Sequence, residues 1–135
     1  SLKLANLPAA PPGDDPVAMP PRAQAVVEAL DRYVALADAD DPDVGGMKFL
    51  AGNALARYRQ PEALPRLEEV VRAHRDHETA EYAVNILLDV LLRQNRIAEA
   101  KILVDDLLAD AAFLVGRDEL RKTLEDLRAR LLANE

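Results

Sequence analysis

The prolines of this chain are concentrated at its amino-terminal end, and this distribution constrains the fold more than any other feature. Six of the nine prolines lie at positions 8, 11, 12, 16, 20 and 21. Proline fixes the backbone φ angle, removes an amide donor and keeps the preceding residue out of the helical region. We therefore predict that residues 1–21 are a flexible proline-rich linker and that residues 22–135 are a single folded domain.

Beyond the prolines, apolar residues recur at the three- and four-residue spacing of amphipathic helices. In the first such segment, Val26, Leu30 and Tyr33 fall on one stripe. No segment alternates apolar and polar residues as a half-buried strand does, so the predicted fold class is all-α. The periodic segments predict six helices, over about residues 22–37, 44–59, 61–74, 78–94, 97–110 and 117–133, with a connector at 113–116.

The predicted helices contain an internal repeat with a period of 37 residues. Each copy consists of a helix, a tight turn and a second helix, and a small residue, Ala63 or Ala100, lies early in each second helix. A helical hairpin cannot bury its apolar face alone, so stacked copies are expected to share one core. The aligned pairs are Met47 with Val84, Leu50 with Leu87, Ala51 with Leu88, Ala54 with Leu91, Leu55 with Leu92, Leu67 with Val104, Val70 with Leu107 and Val71 with Leu108.

The second copy has a characteristic order of large aliphatic residues, a turn residue and an early alanine. These are Val84, Leu87, Leu88 and Leu91, then Asn95, then Ala100, Val104 and Leu107. In this order, residues 47–108 resemble the tetratricopeptide-repeat-like (TPR-like) superfamily of helical repeats. The resemblance implies a right-handed solenoid of antiparallel helix hairpins, with about six helices over the whole domain.

In the TPR-like superfamily, a partner lies in the concave groove lined by the first helix of each repeat. Carried over to this sequence, the resemblance implies a protein or peptide partner that contacts Lys48, Tyr82, Asn85, Asp89 and Arg93. It implies a non-catalytic scaffold for protein–protein interaction. We expect this module to be part of a larger bacterial assembly protein.

The last predicted helix supports an alternative function. Leu120, Leu124, Leu127 and Leu131 follow one another at the four-three-four spacing of a coiled coil. This stripe would suit a small helical-bundle regulatory subunit, or a homodimer that associates through the C-terminal helix. Homo-oligomerisation is therefore an open alternative.

An acidic loop after the first predicted helix suggests a calcium site but does not match one. An EF-hand loop requires glycine at its sixth position and glutamate at its twelfth. Counted from Asp38, these positions hold Asp43 and Phe49. We expect a solvated loop in which Asp41 or Asp43 caps the second helix.

Catalytic and metal-binding groups are sparse in the sequence. The only histidines, His74 and His77, lie at a predicted junction between helices, whereas a zincin pair requires one continuous helix. The chain has no cysteine, and Ser1 is its only serine. Adjacent carboxylates on a helix point about 100° apart and do not form a catalytic pair. We therefore expect no enzymatic activity, no metal and no cofactor.

The net charge is –7, from 17 basic and 24 acidic residues. This balance disfavours nucleic acid and anionic lipid as partners, because both require many Lys and Arg residues to neutralise phosphate. Apolar runs such as those at 86–88 and 90–92 are far shorter than the ~20 residues of a membrane span. We expect the natural chain to continue upstream, which leaves both the cytoplasm and the bacterial cell envelope as compartments.

Overall fold

The computed structural model describes residues 7–133, and within this range it contains helices but no strands. The all-α fold class is therefore confirmed for the described part of the chain. The seven helices of this part are α1 (Pro21–Leu36), α2 (Val44–Arg57), α3 (Ala63–Ala73), α4 (Ala80–Arg93), α5 (Ile97–Leu108), α6 (Ala111–Leu114) and α7 (Asp118–Ala133).

Two departures from the sequence prediction have a local explanation. Helix α3 begins at Ala63 rather than at Pro61, and Pro65 lies in its first turn, where the amide groups have no intrahelical acceptor. The expected connector after α5 contains the short helix α6. The side chain of Asp110 caps this helix by accepting a 3.0 Å hydrogen bond from the amide of Phe113. That local bond explains why four residues form a helical turn.

The chain divides into two compact units, of which one ends at Leu87 and the other begins at Leu88, within α4. In the first unit, α2 packs against both α1 and α3. Arg66 on α3 also forms a two-pronged ion pair with Asp31 on α1, at 2.5 and 2.9 Å. The buried cluster that joins these three helices consists of Val27, Ala54, Leu55 and Ala63.

In the second unit, α5 packs against α6 and α7. Val104 and Leu107 on α5 and Leu124 on α7 are fully buried. Their positions recur every three or four residues along each helix, so the apolar face is continuous. The apolar periodicity of the sequence therefore identified the buried side of both helices.

Helices α2 and α4 end in the same way. Arg59 and Asn95, two residues beyond the helix ends, both have a left-handed backbone conformation, with φ angles of 54° and 57°. In each case the amide of the following residue donates to the carbonyl five positions earlier. The amide of Gln60 donates to Leu55 at 3.0 Å, and the amide of Arg96 donates to Leu91 at 2.8 Å. A hydrogen bond that spans six residues in this way is characteristic of the Schellman motif at the C-terminus of a helix.

The repeat has an offset of 36 residues in its first helices, one fewer than predicted. Helix α2 begins at Val44 and α4 at Ala80, and both contain 14 residues. The second helices keep the predicted offset of 37, because the buried residue Ala63 corresponds to the buried residue Ala100. The turn between the two helices covers residues 58–62 in the first copy and residues 94–96 in the second, so it is shorter in the second copy.

Residues 7–20, which we name the amino-terminal strap, contain no helix but are packed against the first unit. Leu7 is only 5% exposed. Within the linker predicted over residues 1–21, an apolar anchor and hydrogen bonds connect residues 7–20 to the first unit. Residues 1–6 of the predicted linker lie outside the described residues.

Candidate protein-binding surface

The exposed aromatic ring of Tyr82 is the most prominent feature of α4. Its side chain is 57% exposed, and its ring centroid lies 6.2 Å from that of Phe49 on α2, with the ring planes tilted by 41°. Phe49 is buried, at 7% exposure. Tilted aromatic pairs of this spacing are attractive. Phe49 therefore supports one side of the Tyr82 ring while much of the ring remains available to a partner.

The sequence prediction did not include Phe49 among the inward-facing residues of the second helix. It selected Met47 and Leu50 instead, which are only half-buried. Phe49 is one of only two phenylalanines in the chain, and this rarity is the feature of the sequence that could have identified it as a core residue. Helical periodicity identifies the buried face of a helix only to within about one residue. It therefore did not distinguish Phe49 from Met47 and Leu50.

Lys48, a predicted groove residue, is half-buried and engaged in an ion pair. Its Nζ lies 3.6 Å from Oε1 of Glu69 on α3. Arg72 approaches the same carboxylate at 3.9 Å. The two cations share one carboxylate, so Glu69 balances the positive charge of Lys48 only in part.

The other predicted groove residues share the exposed face of α4. Asn85 and Asp89 lie three and seven residues beyond Tyr82, and Arg93 follows one turn later. Arg93 Nε lies 3.1 Å from Asp89 Oδ2, with both side chains mostly exposed. Lys48, Tyr82 and Asn85 belong to the first unit, whereas Asp89 and Arg93 belong to the second. Four of the five residues therefore lie on α4, two in each unit.

The leucine stripe of α7, predicted as a dimer face, lies largely inside the second unit. Leu120, Leu124 and Leu131 are buried, and Leu127 is half-buried. These side chains are covered by the packing of the chain itself, because α7 lies against α5 and α6. The leucines at the coiled-coil spacing therefore contribute mainly to the core of the second unit.

A small groove of about 80 Å³ lies beside the stripe. Arg128 and Asp105 form an ion pair across it at 3.3 Å. A space of this size accepts little more than one side chain. Its lining residues are Lys101, Val104, Asp105, Arg128, Leu131 and Leu132.

The acidic loop between α1 and α2 is organised by Asp41. One carboxylate oxygen of Asp41 accepts a 2.8 Å bond from the amide of Asp43, and the other accepts a 2.8 Å bond from the hydroxyl of Tyr33. The hydrogen bond to Asp41 raises the pKa of Tyr33, and the negative charges of Asp41 and Asp43 act in the same direction. Asp43 is the N-cap residue but makes no capping bond through its side chain.

The two histidines lie beside the start of α2. A Cβ atom built on Gly45 would lie 3.1 Å from the Cβ of His74, and one on Gly46 would lie 3.2 Å from Cε1 of His77. The Nε2 atom of His74 is buried without a hydrogen-bond partner. His77 Nδ1 lies 2.8 Å from the Thr79 hydroxyl. Within residues 7–133, no group of three or more His, Asp and Glu side chains could hold a metal.

Across the described range, every helix is too short or too polar to cross a membrane. No family model matches the chain, and no curated protein or solved structure is significantly similar to it. The exposed Tyr82 ring, supported by Phe49, forms with Asn85 the candidate protein-binding surface of the first unit.

Proposed function

We propose that this chain is a non-catalytic, TPR-like scaffold module that binds a protein or peptide partner through the exposed face of α4. The observation that carries this proposal is the exposed Tyr82 ring, held against the buried ring of Phe49. Tyrosine is among the side chains that contribute most to binding energy at protein interfaces. A ring with one side already fixed loses little conformational freedom when a partner covers the other.

The polar residues of the same face suit the rim of an interface. Asn85 supplies an amide that both donates and accepts hydrogen bonds. The exposed Asp89–Arg93 pair supplies both signs of charge at the far end of the helix. Exposed pairs of this kind orient a partner more than they increase its affinity. We propose that the module serves within a larger assembly protein, as the TPR-like resemblance implies.

Photo-crosslinking tests this surface directly. The full natural chain, with a benzoylphenylalanine at position 82, is irradiated in an extract of its native cells. Tyr33 provides the matched control, since it is an exposed aromatic residue on α1. We expect a discrete adduct from position 82 that excess unlabelled chain removes, and no such adduct from position 33. Equal adducts at both positions would contradict the proposal.

Affinity measurements on the purified partner provide the quantitative test. Truncation of an interface hot spot costs about 2 kcal/mol or more, so Tyr82→Ala should weaken binding at least about 30-fold. Tyr33→Ala should change the affinity less than about twofold. If Tyr82→Ala binds as the unmodified chain does while remaining folded, the α4 face is not the binding surface.

A further inference from the structure

The C-terminal corner of α2 holds the amino-terminal strap through three consecutive residues. The hydroxyl of Tyr58 donates a hydrogen bond to the carbonyl oxygen of Pro8. The carbonyl of Tyr58 accepts a 3.0 Å bond from the amide of Val17. Tyr58 therefore contacts the strap at both ends, although 50 residues separate Tyr58 from Pro8.

The next two side chains donate to backbone carbonyls of the strap, and Gln60 Nε2 also donates to the carbonyl of Tyr58 at 3.1 Å. Arg59 donates from Nε to Asp15 at 2.5 Å and from Nη2 to Pro11 at 2.9 Å. Gln60 Nε2 donates to the carbonyl of Val17 at 2.5 Å. Carbonyl oxygens are present in every peptide, so these bonds recognise the path of the strap rather than its side chains.

The spacing of the accepted carbonyls suits a proline-rich peptide. Pro8 and Pro11 are three residues apart. In a polyproline II helix, which has three residues per turn, carbonyls at this spacing lie on one side. This conformation has no internal hydrogen bonds, which leaves its carbonyls free for external donors. Aromatic side chains that donate to proline-rich backbones are a recurrent mode of peptide recognition. Tyr58 and Arg59 supply such donors here.

An apolar socket next to this corner receives the first residue of the strap. Leu7 is buried in a cluster with residues of α1 and α2. The socket gives the corner a preference for an aliphatic side chain immediately before the first proline. Its buried members are Ala23, Val26, Leu30, Ala51 and Tyr58.

Two unusual backbone conformations allow these contacts. Gly13 has a φ angle of 135°, a backbone conformation that residues other than glycine rarely adopt. It lies between Pro11 and Asp15, whose carbonyls accept hydrogen bonds from Arg59. Arg59 itself has a φ angle of 54°. A left-handed residue with a long side chain is unfavourable, and glycine or asparagine is preferred at such a cap. Asn95 occupies the corresponding cap after α4, so arginine is not required for the cap itself.

We propose that Tyr58, Arg59, Gln60 and the Leu7 socket form a docking site for an extended proline-rich segment with an aliphatic residue before its first proline. The chain's own strap occupies this site. A partner segment of the same chemistry would displace the strap, which therefore acts as an intramolecular competitor. The site lies at the end of α2, apart from the exposed face of α4, so it stands independently of the proposed function.

A competition experiment tests the site in the full chain. The probe is a fluorescent peptide with the sequence of residues 7–17, and its binding is measured by anisotropy. Leu7→Asp removes the apolar anchor of the strap and should free the site. We expect the peptide to bind the Leu7→Asp chain at least about 10-fold more tightly than the unmodified chain, because only the variant has an open site.

Two substitutions in the Leu7→Asp background identify the site. Arg59→Asn keeps a residue suited to the left-handed cap but removes the guanidinium, and it should weaken peptide binding at least about 10-fold. Arg72→Ala removes an equal charge from an exposed position on α3 and should change binding less than about twofold. A peptide with the same composition but displaced prolines should bind at least about 10-fold more weakly than the probe.

Circular dichroism establishes that each variant is folded, and Leu7→Ala replaces Leu7→Asp if the latter unfolds. Equal peptide binding by the unmodified chain and the opened variant would overturn the proposal. So would binding that is unaffected by Arg59→Asn, since the peptide would then lie elsewhere. Absence of binding to a folded, opened variant would also overturn it.

Discussion

Gly52 on α2 lies directly against Leu67 on α3. A Cβ atom built on Gly52 would be 3.0 Å from Cδ2 of Leu67 and 3.2 Å from its Cγ. Leu67 is fully buried in a packed core, so a side chain at position 52 would require Leu67 to shift against its neighbours. The close approach of these two helices therefore depends on the absence of a side chain at position 52.

Gly52→Val should destabilise the chain by about 1–3 kcal/mol, the usual cost of overpacking a core. The clash outweighs the gain of up to about 1 kcal/mol from removing glycine from a helix. Urea unfolding measures the free energy. Ala25→Val on the exposed face of α1 is the control for the intrinsic cost of a β-branched residue. Equal stability of Gly52→Val and the unmodified chain would show that α3 moves freely.

Tyr58→Phe should lower the free energy of unfolding by about 0.5–1.5 kcal/mol, the net value of one hydrogen bond. The ring remains in its buried position, but the carbonyl of Pro8 loses its donor. Tyr33→Phe, which removes an exposed hydroxyl bonded to Asp41, should have a smaller effect. The midpoint of urea unfolding compares the two variants. No measurable loss from Tyr58→Phe would mean that its bond to the strap contributes little to stability.

Stability should decrease as the pH falls below about 6.5, because of His74. Burial lowers the pKa of His74, and the charge of Lys48 lowers it further. His77 also lowers this pKa, whereas the negative charges of Glu69 and Asp76 raise it. The unfolded chain therefore binds this proton more readily than the folded chain, so acid favours unfolding. The contribution is fully present above the unfolded pKa and is lost as the pH falls toward the folded value.

Unfolding free energies at several pH values between 7.5 and 5 test this dependence. His74→Gln should flatten the curve, since glutamine does not titrate. Lys48→Met should also reduce the slope, because it removes a charge that opposes protonation of His74. An unchanged slope in His74→Gln would assign the pH dependence to other groups.

Leu91→Ala should cost about 2–5 kcal/mol, because the leucine is almost completely buried and its removal leaves a cavity. Leu88→Ala, with a buried side chain on the same helix, should fall in the same range. Leu132→Ala on α7 is the control, since its side chain is 54% exposed and should change stability by about 0.5 kcal/mol or less. A loss below about 1 kcal/mol for Leu91→Ala would contradict a buried role for α4.

The sequence alone determined the helices and much of their buried faces. Helical periodicity is a local property, so Leu67, Val70 and Val71 were assigned correctly to the core of α3. The loop between α1 and α2 was also predictable, since proline, glycine and aspartate disfavour continuation of a helix. The turn residue Asn95 was identified from its position in the repeat, and it adopts the left-handed conformation of a helix cap.

Only the tertiary structure decided what covers each apolar face. Periodicity shows which side of a helix is apolar, but the same leucine stripe suits a second copy or the chain's own core, and packing buried Leu124 within the second unit. Prolines indicated an extended segment, yet the anchoring of Leu7 depends on a socket formed by residues distant in sequence. The Phe49–Tyr82 contact likewise joins two helices. Such pairings are set by non-local contacts, which local periodicity does not encode.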